Sequence, residues 1–103
     1  MEIKEMVLKI LEKNNEKYGK TFSSNHEFYA VFKEEFEEAQ AELENIESYL
    51  DSIWDYIKDD NFEGVSNYNE DLGNIIEKGI KELLQMAAIS EKYKQQFPGS
   101  NIL

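Results

Sequence analysis

The sequence predicts an all-α fold, a helical bundle with one long central helix that is completed by dimerisation. Glycine and proline, which the tight turns of β-sheet proteins require, account for only five and one of the 103 residues. Apolar residues recur at the three- and four-residue spacing of a helix face along most of the chain. One such stripe, from Phe28 to Ile57, is longer than a small bundle needs, so a second copy is expected to cover part of it.

The composition predicts a single folded domain, residues 1–103, because 41% of the chain is hydrophobic and its length suits one core. Acidic side chains outnumber basic ones by 22 to 11, which gives a net charge of −11 at pH 7. This charge opposes direct nucleic-acid binding, because non-specific affinity for nucleic acid comes mainly from Lys and Arg. It favours either a site for a divalent cation or a basic protein partner.

The chain contains no cysteine, which excludes a disulfide framework and a thiolate zinc site and is typical of a reducing compartment. Met1–Leu11 alternates charged and apolar side chains, unlike a signal peptide or a membrane span. We therefore expect a cytoplasmic protein that does not associate with a membrane.

A first helix is expected from about Glu2 to Tyr18, where apolar residues share one face. Gly19 should end it, because glycine readily adopts the backbone conformation that closes helices. Ser24 or Asn25 is expected to cap the second helix by accepting a hydrogen bond from a free backbone N–H.

The second helix is predicted to be long, because no proline or glycine interrupts its apolar stripe. Unbroken, it would span about 50 Å at about 1.5 Å per residue. The stripe approaches a heptad repeat. Its residues are Phe28, Phe32, Phe36, Ala39, Leu43, Ile46, Leu50, Ile53 and Ile57.

The polar segment Asp59–Asn67, which contains Gly64, is expected to be a loop before a third helix capped by Ser66 or Asn69. Pro98–Gly99 should end the helical region, and the tail Asn101–Leu103 is either loose or packed on the bundle. The inner face of the third helix is expected to run to about Lys94 and to comprise Leu72, Ile76, Ile80, Leu83 and Ala87.

Carboxylates stand at the border of the apolar stripe on two of these helices. Glu35 and Glu38 are three residues apart on the second helix, and Glu82 and Gln85 repeat this spacing on the third. Side-by-side packing would bring four oxygen ligands together, the donor type that Mg²⁺ prefers. Most glutamate runs on helices are solvated faces, so the spacing alone leaves both interpretations open.

Two stretches resemble a known family. Asn25–Glu38 reads NHEFYAVFKEEFEE, and Lys81–Ala88 reads KELLQMAA. Both are similar to stretches of the MazG-like all-α nucleoside triphosphate pyrophosphohydrolases of the short, phage or bacterial type. Members typically carry HE-x-YAV-x-x-EE-x-x-E on one helix and EL-x-Q-x-AA on another.

This resemblance implies a Mg²⁺-dependent hydrolase that converts a nucleoside or deoxynucleoside triphosphate to the monophosphate and pyrophosphate as a homodimer or higher homo-oligomer. Glu35, Glu38 and Glu82 would be its catalytic metal ligands. Glu34 is a further ligand candidate.

Gln85 stands where better-characterised members have an aspartate, so it would offer the metal a neutral amide oxygen. Lys33, beside the first motif, is the candidate for binding the phosphates. Because Gln85 replaces this aspartate, a degenerate relative that binds nucleotides without cleaving them stays an alternative.

A different class of function also fits the charge. An acidic helical inhibitor or nucleic-acid mimic, such as a phage-encoded anti-defence protein, would bind a basic nucleic-acid-binding protein through exposed carboxylates. The hydrolase instead requires the three catalytic glutamates within reach of one cation. The acidic residues expected on the exposed face of an inhibitor are Glu44, Glu47, Asp51, Asp55 and Asp59.

Overall fold

The computed structural model describes residues 1–97, which form three α-helices and no β-strand. The helices are α1 (Ile3–Tyr18), α2 (Asn25–Lys58) and α3 (Phe62–Gln96). α2 and α3 pack along each other as an antiparallel hairpin, and α1 packs against α3. The predicted all-α class is therefore confirmed for this part of the chain.

Two expectations concern residues outside the described range, namely the helix stop at Pro98–Gly99 and the position of the tail Asn101–Leu103. Within residues 1–97, none of the helices combines the length and apolar character that crossing a bilayer requires.

The sequence predicted one long central helix, whereas the structure has two long helices. α2 has 34 residues and α3 has 35, and α3 is the helix that contacts both others. This difference between the predicted and the observed helices arises at the start of α3, which begins several residues earlier than the sequence predicted. A two-helix hairpin of matched length therefore forms the frame of the molecule.

The loop predicted at Asp59–Asn67 is wrong, because only residues 59–61 separate α2 from α3. Asn61 caps α3, its Oδ1 accepting the backbone N–H of Gly64 at 2.9 Å, so neither Ser66 nor Asn69 is the cap. Asp60 turns the chain with a φ of 52°. Gly64 sits inside the first turn of α3, where the ring of Tyr56 occupies the space that a Cβ would fill.

The ends of α1 and the start of α2 agree with the sequence. Gly19 follows α1 with a φ of 87°, and its N–H donates to the carbonyl of Asn15. Ser24 caps α2, its Oγ accepting the backbone N–H of Glu27 at 3.1 Å. The short connector between α1 and α2 is thus fixed at both ends.

The buried core is small and lies where α1 joins the carboxyl-terminal half of α3. Val7 and Leu11 of α1 pack there against Ala88 of α3. The flanking half-buried residues are Ile10, Leu84 and Ala87. Packing of α1 thus depends on small residues in α3, because alanine lets the two backbones approach closely.

Much of the apolar stripe predicted to be inner is exposed in this single chain. In α2, Ala39 is buried and Ile46 and Ile53 are half-buried, whereas every seventh residue from Phe36 is exposed. In α3, Leu72 is buried but its expected neighbours are not. We call the exposed set the apolar face; it comprises Phe36, Leu43, Leu50, Ile57, Phe62, Ile76, Ile80 and Leu83.

Candidate functional site

A pocket of about 730 Å³ lies between the three helices. Its floor is the face of α3 that runs from Glu82 to Lys92, and its walls are α1 and the first half of α2. The polar residues that line it are Asn14, Glu27, Glu34, Glu35, Glu38, Glu82, Gln85 and Lys92. One end is strongly acidic, and the other carries a lysine and an aromatic ring.

The acidic end holds three glutamates from two helices, which we call the carboxylate triad. Glu35 and Glu38 come from consecutive turns of α2, and Glu82 faces them from α3. One carboxylate oxygen from each lies within 4.8 Å of the other two. The structure therefore brings together the three residues that the sequence singled out.

Burial and the close approach of the carboxylates raise the pKa values of Glu35 and Glu38. Burial, together with the negative charges of Glu38 and Glu82, raises the pKa of the Glu35 carboxyl from its ordinary 4.5 to about 7. The nearby Glu82 carboxyl, which can share a proton with Glu38, raises the pKa of Glu38 as well. Among residues 1–97, no basic side chain forms an ion pair with the triad.

The donor set fits a hard divalent cation. Oxygen ligands lie about 2.1 Å from Mg²⁺, so adjacent ligands are about 3 Å apart, and the three carboxylates would have to close around an ion. The Oε2 atom of Glu35 is buried and has no hydrogen-bond partner within the described part of the chain. A cation there would give this oxygen a partner and relieve the repulsion among three carboxylates.

Two further ligand candidates lie in the same pocket but outside the triad. The Oε1 atom of Gln85 accepts a hydrogen bond from the side-chain amide of Asn14 at 3.3 Å. This contact ties the Gln85 oxygen to α1. Glu34 lines the pocket edge and is exposed to solvent. Both residues therefore line the same pocket as the triad but are not part of it.

The basic residue of the pocket differs from the one expected. Lys33 is exposed and does not line the pocket, whereas Lys92 of α3 does. Lys92 was not among the predicted residues, although Glu82, Gln85 and Lys92 share a helix face at three- and seven-residue spacings. That spacing was the available indication.

The acidic residues that an inhibitor would use form a separate surface. They all lie in or directly after the second half of α2, and each is exposed. Asp55 pairs with Lys58 at 3.1 Å, so part of its charge is compensated. The set comprises Glu44, Glu47, Asp51, Asp55 and Asp59.

No protein-family model matches this sequence, and no curated protein or solved structure is significantly similar to it. The resemblance to the MazG-like hydrolases therefore stays a prediction carried by the two motif stretches.

Proposed function

We propose that this protein is a Mg²⁺-dependent nucleoside triphosphate pyrophosphohydrolase that holds its substrate in the pocket between the three helices. The observation that carries the proposal is the carboxylate triad, in which Glu35 and Glu38 of α2 meet Glu82 of α3 at one end of that pocket. The reaction consumes one water, cleaves the bond between the first and second phosphoryl groups, and yields a nucleoside monophosphate, pyrophosphate and a proton.

The three glutamates would hold the ion, and a bound Mg²⁺ would neutralise phosphate charge and favour attack of water on phosphorus. In the metal-free protein, burial and the neighbouring Glu38 and Glu82 raise the pKa of Glu35 to about 7, and a bound Mg²⁺ would favour its ionised form.

Pyrophosphate release is the direct test. The protein is incubated with each nucleoside and deoxynucleoside triphosphate, with Mg²⁺ or with EDTA, and pyrophosphate is measured. We expect release with Mg²⁺ only, and loss of at least a hundredfold in rate for Glu38→Gln and Glu82→Gln. Glu37→Gln is the matched control, because Glu37 is exposed on α2 and does not line the pocket.

Two results would count against the hydrolase. If no substrate releases pyrophosphate but nucleotides bind tightly in the presence of Mg²⁺, the degenerate binding relative is favoured. Gln85, in place of an aspartate, is the residue that suggests this alternative. Full activity in Glu38→Gln would show that any hydrolysis does not depend on the triad.

The apolar face supports assembly as a homodimer or higher homo-oligomer. Its members on α2 recur every seven residues, and Leu43 remains 63% exposed and Leu83 58% exposed. Phe36 directly follows Glu35 on α2, and Leu83 directly follows Glu82 on α3, so the apolar face lies about 100° around each helix from these members of the triad. Two copies could join their apolar faces as a four-helix bundle.

A second candidate function rests on the exposed acids of α2. They extend along the outer side of the helix, and with a net charge of −11 they could substitute for the phosphates of nucleic acid on a basic protein. A competition assay tests this function: the protein would displace DNA from a basic DNA-binding protein, and Glu47→Gln with Asp51→Asn would weaken the displacement. Equal displacement by wild type and variant would argue against it.

A further inference from the structure

Lys92 is the one lysine that lines the pocket within residues 1–97, and only 8% of it is exposed. It follows Glu82 on α3 by about ten residues, which is about 15 Å of helix. Its ammonium lies over the ring of Phe22, a residue of the connector between α1 and α2. The pocket thus has a positive end and an acidic end.

The ammonium group of Lys92 forms no ion pair within residues 1–97. It lies 4.5 Å from the centre of the Phe22 ring, and no carboxylate of residues 1–97 is within 4.0 Å of it. Glu27 lines the same pocket, and its oxygens accept hydrogen bonds from Ser23, which, together with the more distant Lys92 charge, lower the pKa of this carboxyl. An aromatic ring compensates a partly desolvated cation only in part, so a directly bound anion would be favourable there.

Phe22 is held rigidly beneath this charge. The Gln96 side chain accepts the Phe22 N–H at 2.7 Å and donates to the Phe22 carbonyl at 2.9 Å. The ring of Phe28 meets the Phe22 ring edge-on, with 5.5 Å between centres. Because the ammonium already covers a face of Phe22, that face is closed to a stacked nucleobase.

We propose that Lys92 binds a phosphoryl oxygen of the substrate, so that the polyphosphate chain extends from the carboxylate triad towards the Lys92 ammonium. This inference rests on the proposed function for the identity of the ligand, a nucleoside triphosphate. It assigns to Lys92 the phosphate contact that the sequence placed at Lys33. A phosphoryl anion would supply the ion pair that Lys92 does not form within residues 1–97.

The test compares Lys92→Met with Lys33→Met. Both remove one charge and keep an unbranched side chain, but Lys33 lies outside the pocket. Binding of inorganic tripolyphosphate, a nucleoside triphosphate, the monophosphate and the free nucleoside is measured by calorimetry at fixed Mg²⁺ and ionic strength. We expect Lys92→Met to lose at least tenfold in affinity for tripolyphosphate and for the triphosphate, with smaller losses for the monophosphate and none for the nucleoside.

Lys33→Met should bind all four ligands as the wild type does, and Lys92→Arg should recover most of the affinity for tripolyphosphate. Wild-type affinity for tripolyphosphate in folded Lys92→Met would overturn the proposal. An equal loss for nucleoside and triphosphate would also overturn it, because that pattern indicates a contact to the base or sugar, or a structural role.

A labelling experiment covers the case in which Lys92→Met does not fold. In the wild type, tripolyphosphate should slow acetylation of the Lys92 amine at least threefold and leave that of Lys33 unchanged, as measured by mass spectrometry. Equal protection of both lysines, or of neither, would overturn the assignment.

The two proposals fail in different ways. Lys92-dependent binding of tripolyphosphate without pyrophosphate release from any nucleotide would refute the hydrolase and leave the phosphate contact standing. Pyrophosphate release with an unchanged KM in Lys92→Met would refute the contact and leave the hydrolase standing.

Discussion

Glu42 on α2 and Lys78 on α3 form an ion pair, with 3.2 Å between the glutamate Oε1 and the lysine Nζ. The pair lies one helical turn from Glu38 and Glu82, and it helps to fix the register in which these two carboxylates face each other. The Glu42 side chain is largely enclosed at 10% exposure, so it requires a cation nearby. Because Lys78 is committed to Glu42, it does not neutralise the triad.

An uncompensated triad should be stabilised by losing one charge. In metal-free protein we expect Glu35→Gln to raise the thermal midpoint above that of the wild type, because repulsion from Glu38 and Glu82 is removed. At a hundredfold excess over Kd, Mg²⁺ should stabilise the wild type by about 2.7 kcal/mol and so raise its thermal midpoint. The midpoint of the variant should rise much less. Scanning calorimetry with and without Mg²⁺ measures both effects.

Glu37→Gln provides the control for that experiment, since Glu37 is exposed on the same helix but outside the triad. Its response to Mg²⁺ should equal that of the wild type. An identical Mg²⁺ response in Glu35→Gln would mean that the ion binds elsewhere.

The raised pKa of Glu35 also predicts how stability depends on pH. The folded state holds a proton on Glu35 up to about pH 7, whereas the unfolded chain releases it near 4.5. Between these values the folded state binds more protons, so this group lowers the stability of the metal-free protein as the pH rises from about 4.5 to about 7. Urea titrations at several pH values should show this decline in the wild type, and Glu35→Gln should flatten it. An unchanged pH profile in the variant would assign the decline to other groups.

The sequence predicted α1 and the start of α2 because both depend on local spacing, whereas the resemblance to the MazG-like motifs singled out the three glutamates of the triad. Ser24 lies directly before the apolar periodicity, and Glu35 and Glu38 share a surface in any helix that contains them, but Glu82 meets them only through the packing of α3 on α2. Spacing places Lys92 on the helix face of Glu82 and Gln85, but its contact with Phe22 of the connector cannot be predicted from that spacing. Periodicity identifies which residues share a face, but it does not say what covers that face.

The start of α3 was mispredicted because Gly64 and its polar neighbours have the composition of a loop. Gly64 is instead required by the Tyr56 ring, which itself packs on Tyr68 with 5.1 Å between ring centres. Gly64→Ala should therefore destabilise the protein by about 1–3 kcal/mol, since overpacking outweighs the better helix propensity of alanine.

Gly73→Ala is the matched comparison, because a Cβ at Gly73 would meet nothing within 4 Å. That variant should gain about 0.5–1 kcal/mol from helix propensity alone. Denaturant unfolding of both variants measures the difference in sign. Similar shifts for the two glycines would contradict the packing role of Gly64.

The apolar face gives the final prediction. Leu43 and Leu50 are both more than half exposed in a single chain, and joining two copies would bury them. Replacing both with glutamine should raise the dissociation constant of the dimer by about tenfold or more for each leucine, because burial of one leucine contributes about 1.5–3 kcal/mol. Light scattering coupled to gel filtration across a range of concentrations should show the wild type at twice the chain mass or more and the variant at the chain mass.

The glutamine variant should keep its helical circular dichroism, since these side chains contribute little to the buried core of one chain. Replacing Asn45 and Glu47, which are exposed on the same helix but outside the apolar face, should leave the mass of the assembly unchanged. If the wild type already has the mass of one chain at every concentration, the apolar face does not join two copies. Activity of the monomeric variant then distinguishes a pocket that works alone from one that needs the assembly.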